Sequence, residues 1–102
     1  MSRDWVIDKI GIGVTYDSDL EKARKLIKQI GLELQQDPEF GPNIIEPPKM
    51  HGVDELGDYA VMIRAKVMAV PGEQFVIRRK ADAMIKKAFD EIGIKFAFST
   101  VR

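Results

Sequence analysis

Val14-Thr15-Tyr16-Asp17-Ser18-Asp19-Leu20-Glu21-Lys22 decides the fold, because a strand gives way to a helix inside it. Upstream, Ile10, Ile12 and Val14 alternate with Gly11, Gly13 and Thr15, the two-residue period of a strand with one buried face. Downstream, Leu20, Ala23, Ile27, Ile30 and Leu34 recur at helical spacing and share one face. Between the two patterns, Ser18-Asp19-Leu20-Glu21 has the form of a capping box. In such a box the Ser18 hydroxyl accepts from the Glu21 amide, and the Glu21 carboxylate reaches back to the Ser18 amide. Asp19 adds negative charge where the helix dipole favours it.

Working outward, the first strand is expected over residues 6–16 and the first helix over 19–36. Gly31 interrupts that helix at a cost of about 1 kcal/mol against alanine. Asp37-Pro38 ends it, since proline disfavours helical geometry in the residue before it. Residues 39–48 hold Gly41, Pro42, Pro47 and Pro48 and read as an irregular connection anchored by Ile44 and Ile45. A short strand over 49–53 and a hairpin turn over 54–58 follow.

Residues 59–69 form the clearest strand. Val61, Ile63, Ala65 and Val67 make one face; Ala60, Met62, Arg64, Lys66 and Met68 make the other. The second helix spans 73–92, with Ile77, Ala81, Met84, Ile85, Ala88 and Ile92 as its buried stripe, widened by Phe89. Asp82–Lys86, Lys86–Asp90 and Lys87–Glu91 are opposite charges four apart on its outer side. Gly93 stands where a left-handed C-terminal cap belongs, and Ile94 is placed to fold back on the last turn. Residues 94–101 read as a final strand with Phe96 and Phe98 on one face.

The order is βαββαβ. It predicts a single α+β domain over 1–102, a ferredoxin-like sandwich with a four-stranded antiparallel sheet and two helices on one face.

Composition excludes several functions. Sixteen basic and sixteen acidic residues cancel, so no global field draws nucleic acid or an anionic membrane. The absence of cysteine rules out a disulfide framework, thiolate catalysis and cysteine-ligated zinc. No apolar run reaches the roughly 18 to 20 residues that cross a bilayer. Met1-Ser2-Arg3-Asp4-Trp5 lacks the layout of a signal peptide.

Each candidate for chemistry has a plainer explanation. Gly11-Ile12-Gly13 lies inside a strand and lacks the third glycine of a phosphate loop, so it reads as strand glycines that admit a close neighbour or a bulge. His51, the one histidine, reads as a solvated strand-end residue rather than a weak metal site with Asp54 or Asp58. Asp17, Asp19 and Glu21 belong to capping; Asp54, Glu55 and Asp58 belong to a turn. Arg78, Arg79, Lys80, Lys86 and Lys87 make a basic helix side, but Asp82, Asp90 and Glu91 interleave with them. The exposed face of the 59–69 strand has no aromatic platform for bases. No serine–histidine pair can be placed. No catalytic, cofactor or metal site is expected.

Several segments, in order, resemble the C-terminal cytoplasmic domain of the MscS family of bacterial mechanosensitive channels. Ser2-Arg3-Asp4-Trp5 resembles the family's exit from a preceding beta domain. The Val14–Lys22 stretch quoted above resembles its strand-to-helix junction. Residues 52–59 are similar to its glycine-and-acid hairpin, and Ile85-Lys86-Lys87-Ala88-Phe89-Asp90-Glu91-Ile92-Gly93-Ile94 to its helix end. The last strand departs from the family pattern, with Ser99 where a proline is common.

The resemblance implies one domain cut from a longer homo-oligomeric, tension-gated channel, heptameric in the family. Membrane helices and a beta domain would precede it, on the cytoplasmic side of the bacterial inner membrane. Its part would be architectural, forming the vestibule wall and solute portals used in hypo-osmotic shock. Met62, Arg64, Lys66 and Met68 are the expected interface or portal residues. Partners would be copies of itself, with no nucleic acid and no membrane insertion by this segment. On its own the chain is expected to be monomeric or weakly associated. The alternatives are a free-standing ferredoxin-like module that binds or senses a small molecule, and a small enzyme of acylphosphatase-like architecture, for which no anion-cradling loop follows the first strand.

Overall fold

Alternation in the strands and four-residue spacing in the helices put apolar side chains on matching surfaces, and the structure joins those surfaces. The computed structural model describes residues 4–57 and 60–97. Its elements are β1 (Val6–Thr15), α1 (Leu20–Gln36), a 3-10 turn (Gly41–Asn43), β2 (Ile44–Leu56), β3 (Ala60–Ala69) and α2 (Gln74–Glu91). The sheet is antiparallel with order β1-β3-β2. β1 and β3 pair without a register break from Val6 opposite Ala69 to Thr15 opposite Ala60. Ile10, Ile12 and Val14 of β1 and Val61, Ile63, Ala65 and Val67 of β3 therefore point the same way. They are buried against Ala23, Ile27, Ile30 and Leu34 of α1 and Ile77, Ala81, Ile85 and Phe89 of α2.

Among the described residues the sheet has three strands. Where a fourth was expected, Phe96 makes an isolated antiparallel bridge to Val14 on the outer edge of β1. The Thr15 amide donates to the Lys95 carbonyl at 3.0 Å and the Ala97 amide to the Gly13 carbonyl at 3.1 Å. The rest of the expected strand, 98–101, lies outside the described residues.

β2 corrects the sequence reading most. It runs from Ile44, not 49, through the segment read as irregular, and carries Asp54 and Glu55 that were assigned to the turn. Register shifts fall between Ile44 and Glu46, Glu46 and Lys49, and Met50 and Gly52. Prolines survive in a strand at a sheet edge or a bulge, where no ladder donor is lost. Pro47 and Pro48 have both conditions. Gly57, with φ +72, starts the link to β3; Asp58 and Tyr59 lie outside the described residues.

Gly31 fits against this bulged segment. A Cβ there would stand 2.6 Å from the Pro48 carbonyl oxygen and 3.2 Å from Pro47 Cβ. Glycine in mid-helix lets α1 approach the backbone of β2.

The helix ends differ from expectation at one terminus. Asp19, not Ser18, is the N-cap of α1, its carboxylate accepting from the Lys22 amide at 3.1 Å. Ser18 is already engaged: its amide donates to the Thr15 carbonyl at 3.0 Å, and its hydroxyl lies 3.2 Å from the Thr15 hydroxyl. That turn delays helix entry by one residue. Glu21 meets Arg24 at 3.6 Å instead of closing a box. At the far end Asp37 is extended, and its carboxylate accepts from the Glu39 amide at 2.7 Å.

At the end of α2, Gly93 has φ +85. The Ile94 amide donates to the Phe89 carbonyl at 2.9 Å and the Gly93 amide to the Asp90 carbonyl at 3.2 Å, the paired bonds of a Schellman turn. This turn carries Ile94 into the core at 7% exposure and leaves Ile92 outside it at 38%. The buried stripe thus ends at Phe89.

Candidate functional site

The helices cover one side of the sheet, so the other side is the surface on which strand residues can act directly. Met62, Arg64, Lys66 and Met68 all lie there, brought together by the alternation of β3. Register adds residues that the sequence reading did not single out. Met68 has Ile7 and Glu46 as its cross-strand partners, Lys66 has Lys9 and Lys49, and Arg64 has Gly11 and Gly52.

The two glycines shape this face. A Cβ on Gly52 would come within 3.0 Å of Arg64 Nη2, and one on Gly11 within 3.0 Å of Met62 Sδ. Their missing side chains let Arg64 and Met62 lie flat across neighbouring strands. Arg64 Nε meets Asp54 Oδ2 at 3.1 Å, an ion pair about half exposed on each side. Between Lys49, Lys66, Ile7 and Met68 lies a pit of about 30 Å³. Ile7 is 49% exposed. The face is partly apolar and basic along one row, with Glu46 beside that row.

A second polar cluster sits where α2 crosses β1. Arg78 Nε lies 3.4 Å from Asp8 Oδ2, and its guanidinium carbon stands 5.7 Å from the Phe75 ring centre. Asp8 Oδ2 is enclosed and makes no hydrogen bond among the described residues, so the longer Arg78 contact is an ion pair only. This pair orients α2 on the sheet.

The remaining candidates stay apart. His51 is exposed on β2, and Asp54 is held by Arg64. Asp17, Asp19 and Glu21 are exposed around the β1–α1 turn. Arg79 and Lys80 are exposed on α2, and Lys86 pairs with Asp82 at 3.1 Å. Among the described residues no polar or charged side chain is fully buried, and no three His, Asp or Glu groups converge on a point. No helix among them is long and apolar enough to cross a membrane.

The outward positions of β1 were legible from its alternation. Those of β2 were not, because three register shifts separate its sequence from its pairing.

Comparison with known proteins places this domain. Residues 8–96 match the family model described as mechanosensitive ion channel MscS, C-terminal. The moderate conductance mechanosensitive channel YbiO of Escherichia coli is 29% identical over 82 residues, 80% of this chain and 11% of that protein. The large-conductance mechanosensitive channel MscMJLR of Methanocaldococcus jannaschii is 36% identical over 98 residues, 87% of this chain and 25% of that protein. The small-conductance mechanosensitive channel of Caldanaerobacter subterraneus is 21% identical over 98 residues, covering 96% of this chain and 34% of that protein. The chain therefore spans between about a tenth and a third of these relatives.

Proposed function

The chain belongs to the MscS mechanosensitive channel family, matching its C-terminal domain, and we propose that it is the cytoplasmic vestibule wall of a tension-gated channel. In this reading it is one part of a longer polypeptide whose other parts cross the bacterial inner membrane. Copies assemble into a ring, sevenfold by family resemblance, that releases ions and small solutes on hypo-osmotic shock. The domain performs no catalysis and takes no cofactor.

The observation that carries this reading is the unpartnered side of the sheet. A ferredoxin-like order, with a last strand on the outer edge of β1, is supported by the Val14–Phe96 bridge. That arrangement leaves the opposite sheet face free of helices. Met62 and Met68 give it apolar area, while Arg64 and Lys66 give it charge, a mixture suited to a subunit contact or a portal rim.

The test is made on the native source. An antibody to this domain is used to blot separated membranes and cytosol. A membrane-bound species much larger than 11.5 kDa is expected. Deleting its gene should then lower survival of hypo-osmotic shock. A soluble band at 11.5 kDa would overturn the channel reading and favour the free-standing ligand-binding module.

A further inference from the structure

Lys9, Lys66 and Lys49 stand side by side across all three strands, Lys66 being the register partner of both others. All three fall on the helix-free side, since Ile10 and Met50, their neighbours in sequence, face the core. Like charges directly opposite each other on one sheet face are unfavourable. None of the three has an ion-pair partner among the described residues, whereas the nearby Arg64 is matched by Asp54. Lysine commonly guards exposed strand edges, which accounts for Lys49 on β2. It does not account for Lys66, which is half-buried on the central strand.

We propose that this lysine row docks the acidic β1–α1 turn, Asp17, Asp19 and Glu21, of a neighbouring copy of the chain. The inference rests on the oligomeric reading above and names the two surfaces that would meet.

Ring geometry supplies the first argument. A cyclic assembly of more than two copies is built from heterologous contacts, each copy presenting two different and complementary patches. The row and the turn are such a pair. Lys9 lies six residues before Thr15 along β1, about 20 Å at a rise of ~3.3 Å per residue, so the turn cannot fold back to neutralise its own row.

Charge supplies the second. The turn places three exposed carboxylates within five positions, and Asp17 has no ion-pair partner among the described residues. Within the turn Asp19 also caps α1 and Glu21 also meets Arg24, while elsewhere Asp54 is held by Arg64, Asp82 by Lys86 and Asp37 by backbone amides. A small free anion fits less well. The pit between Lys49 and Lys66, about 30 Å³, holds roughly one water and is also lined by Glu46, whose carboxylate disfavours an anion there.

The experiment uses two charge-reversed chains, Lys49→Glu/Lys66→Glu and Asp17→Lys/Glu21→Lys. Asp19 is left intact because it caps α1. Folding of each is checked by circular dichroism, and weak self-association is read by sedimentation in low salt. The wild-type chain should associate, and each variant alone should lose roughly tenfold or more in affinity. Mixing the two variants should restore association, since each then offers the complement of the other. Carbodiimide coupling of mixed light and heavy wild-type chains should join Lys49 or Lys66 to Asp17 or Glu21 between copies.

Association that persists in both variants, or cross-links that run to other carboxylates, would overturn this pairing and leave the ring reading standing. A wild-type chain that stays monomeric in low salt would also overturn it, as would protection of the row by inorganic phosphate without self-association. The channel reading is decided separately, by membrane fractionation.

Discussion

The same strands present two faces that obey different rules. On the covered face, Asp8 at its rim apart, positions do one job: Ile12, Val14, Ile63 and Val67, with Ile77, Ile85 and Phe89 of α2 packed on them, are all essentially inaccessible, and apolar burial is the demand on them. On the open face, neighbours one residue away along β1 and β3 are Ile7, Lys9, Gly11, Gly13, Met62, Arg64, Lys66 and Met68. No single property describes that set. It holds glycines that make room, methionines that lie across them, one matched cation and one row of unmatched cations. The covered face is explained by this chain alone. The open face has unresolved charge, and it makes sense when something else completes it.

The sharpest way to break the comparison is to exchange the rules. Ile63→Asp puts a carboxylate at a position with no exposure and no partner, a cost of several kcal/mol or more, so the chain should lose its cooperative thermal transition. Arg64→Ala, one residue along and on the other face, removes only an exposed ion pair and should cost at most about 1 kcal/mol. Thr15→Val, at the end of β1, should likewise be far milder than Ile63→Asp. Equal losses at positions 63 and 64 would mean that the two faces are wrongly assigned.

Gly31 tests where the covered face is tightest. In an exposed helix, alanine for glycine stabilises by about 1 kcal/mol. Here the added Cβ would stand 2.6 Å from the Pro48 carbonyl, so α1 must move off β2. We expect Gly31→Ala to destabilise by about 1–3 kcal/mol, as overpacking does, read as a lower urea midpoint at unchanged slope. A raised midpoint would show that the helix stands further from the strand.

This pair of cases marks how far the sequence could be read. β1, α1, β3 and α2 were legible because their periods are set locally, and the faces of β3 came with them. What escaped needed a partner to be visible. Prolines 47 and 48 read as breakers until strand order places β2 at an edge, where a proline removes no ladder bond. Gly31 read as a propensity cost until β2 lay beneath it. At the site, Met62, Arg64, Lys66 and Met68 could be grouped from one strand. Lys9, Lys49, Gly11, Gly52 and Asp54 joined them only through cross-strand register, and three bulges hide that register in β2.

The start of α1 separates two readings of one short motif. Ser18 and Asp19 both have the chemistry of an N-cap, and the turn hydrogen bonds from Ser18 to Thr15 decide between them. Asp19→Ala should cost about 1 kcal/mol of stability. Ser18→Ala should cost a few tenths, since among the described residues its hydroxyl meets only Thr15 and no helix amide depends on it. The reverse ranking in thermal melts would restore the capping box.

The smallest expected effect bears most directly on the open face. In most proteins a substitution at a half-buried central-strand position costs stability, whatever its charge. Lys66→Gln keeps a polar side chain only one atom shorter while removing the middle charge of the lysine row. Under conditions that keep the chain monomeric, it should therefore stabilise by a few tenths of a kcal/mol, the scale of one unfavourable cross-strand pair. The gain should be largest in dilute buffer and vanish near 1 M salt, where charges are screened over about 3 Å. A salt-independent change would mean that the ammonium groups already diverge into solvent and that Lys66 acts through its aliphatic stem. A salt-dependent gain would mean that the lone chain retains a charge arrangement that weakens it, as a surface kept for a partner would.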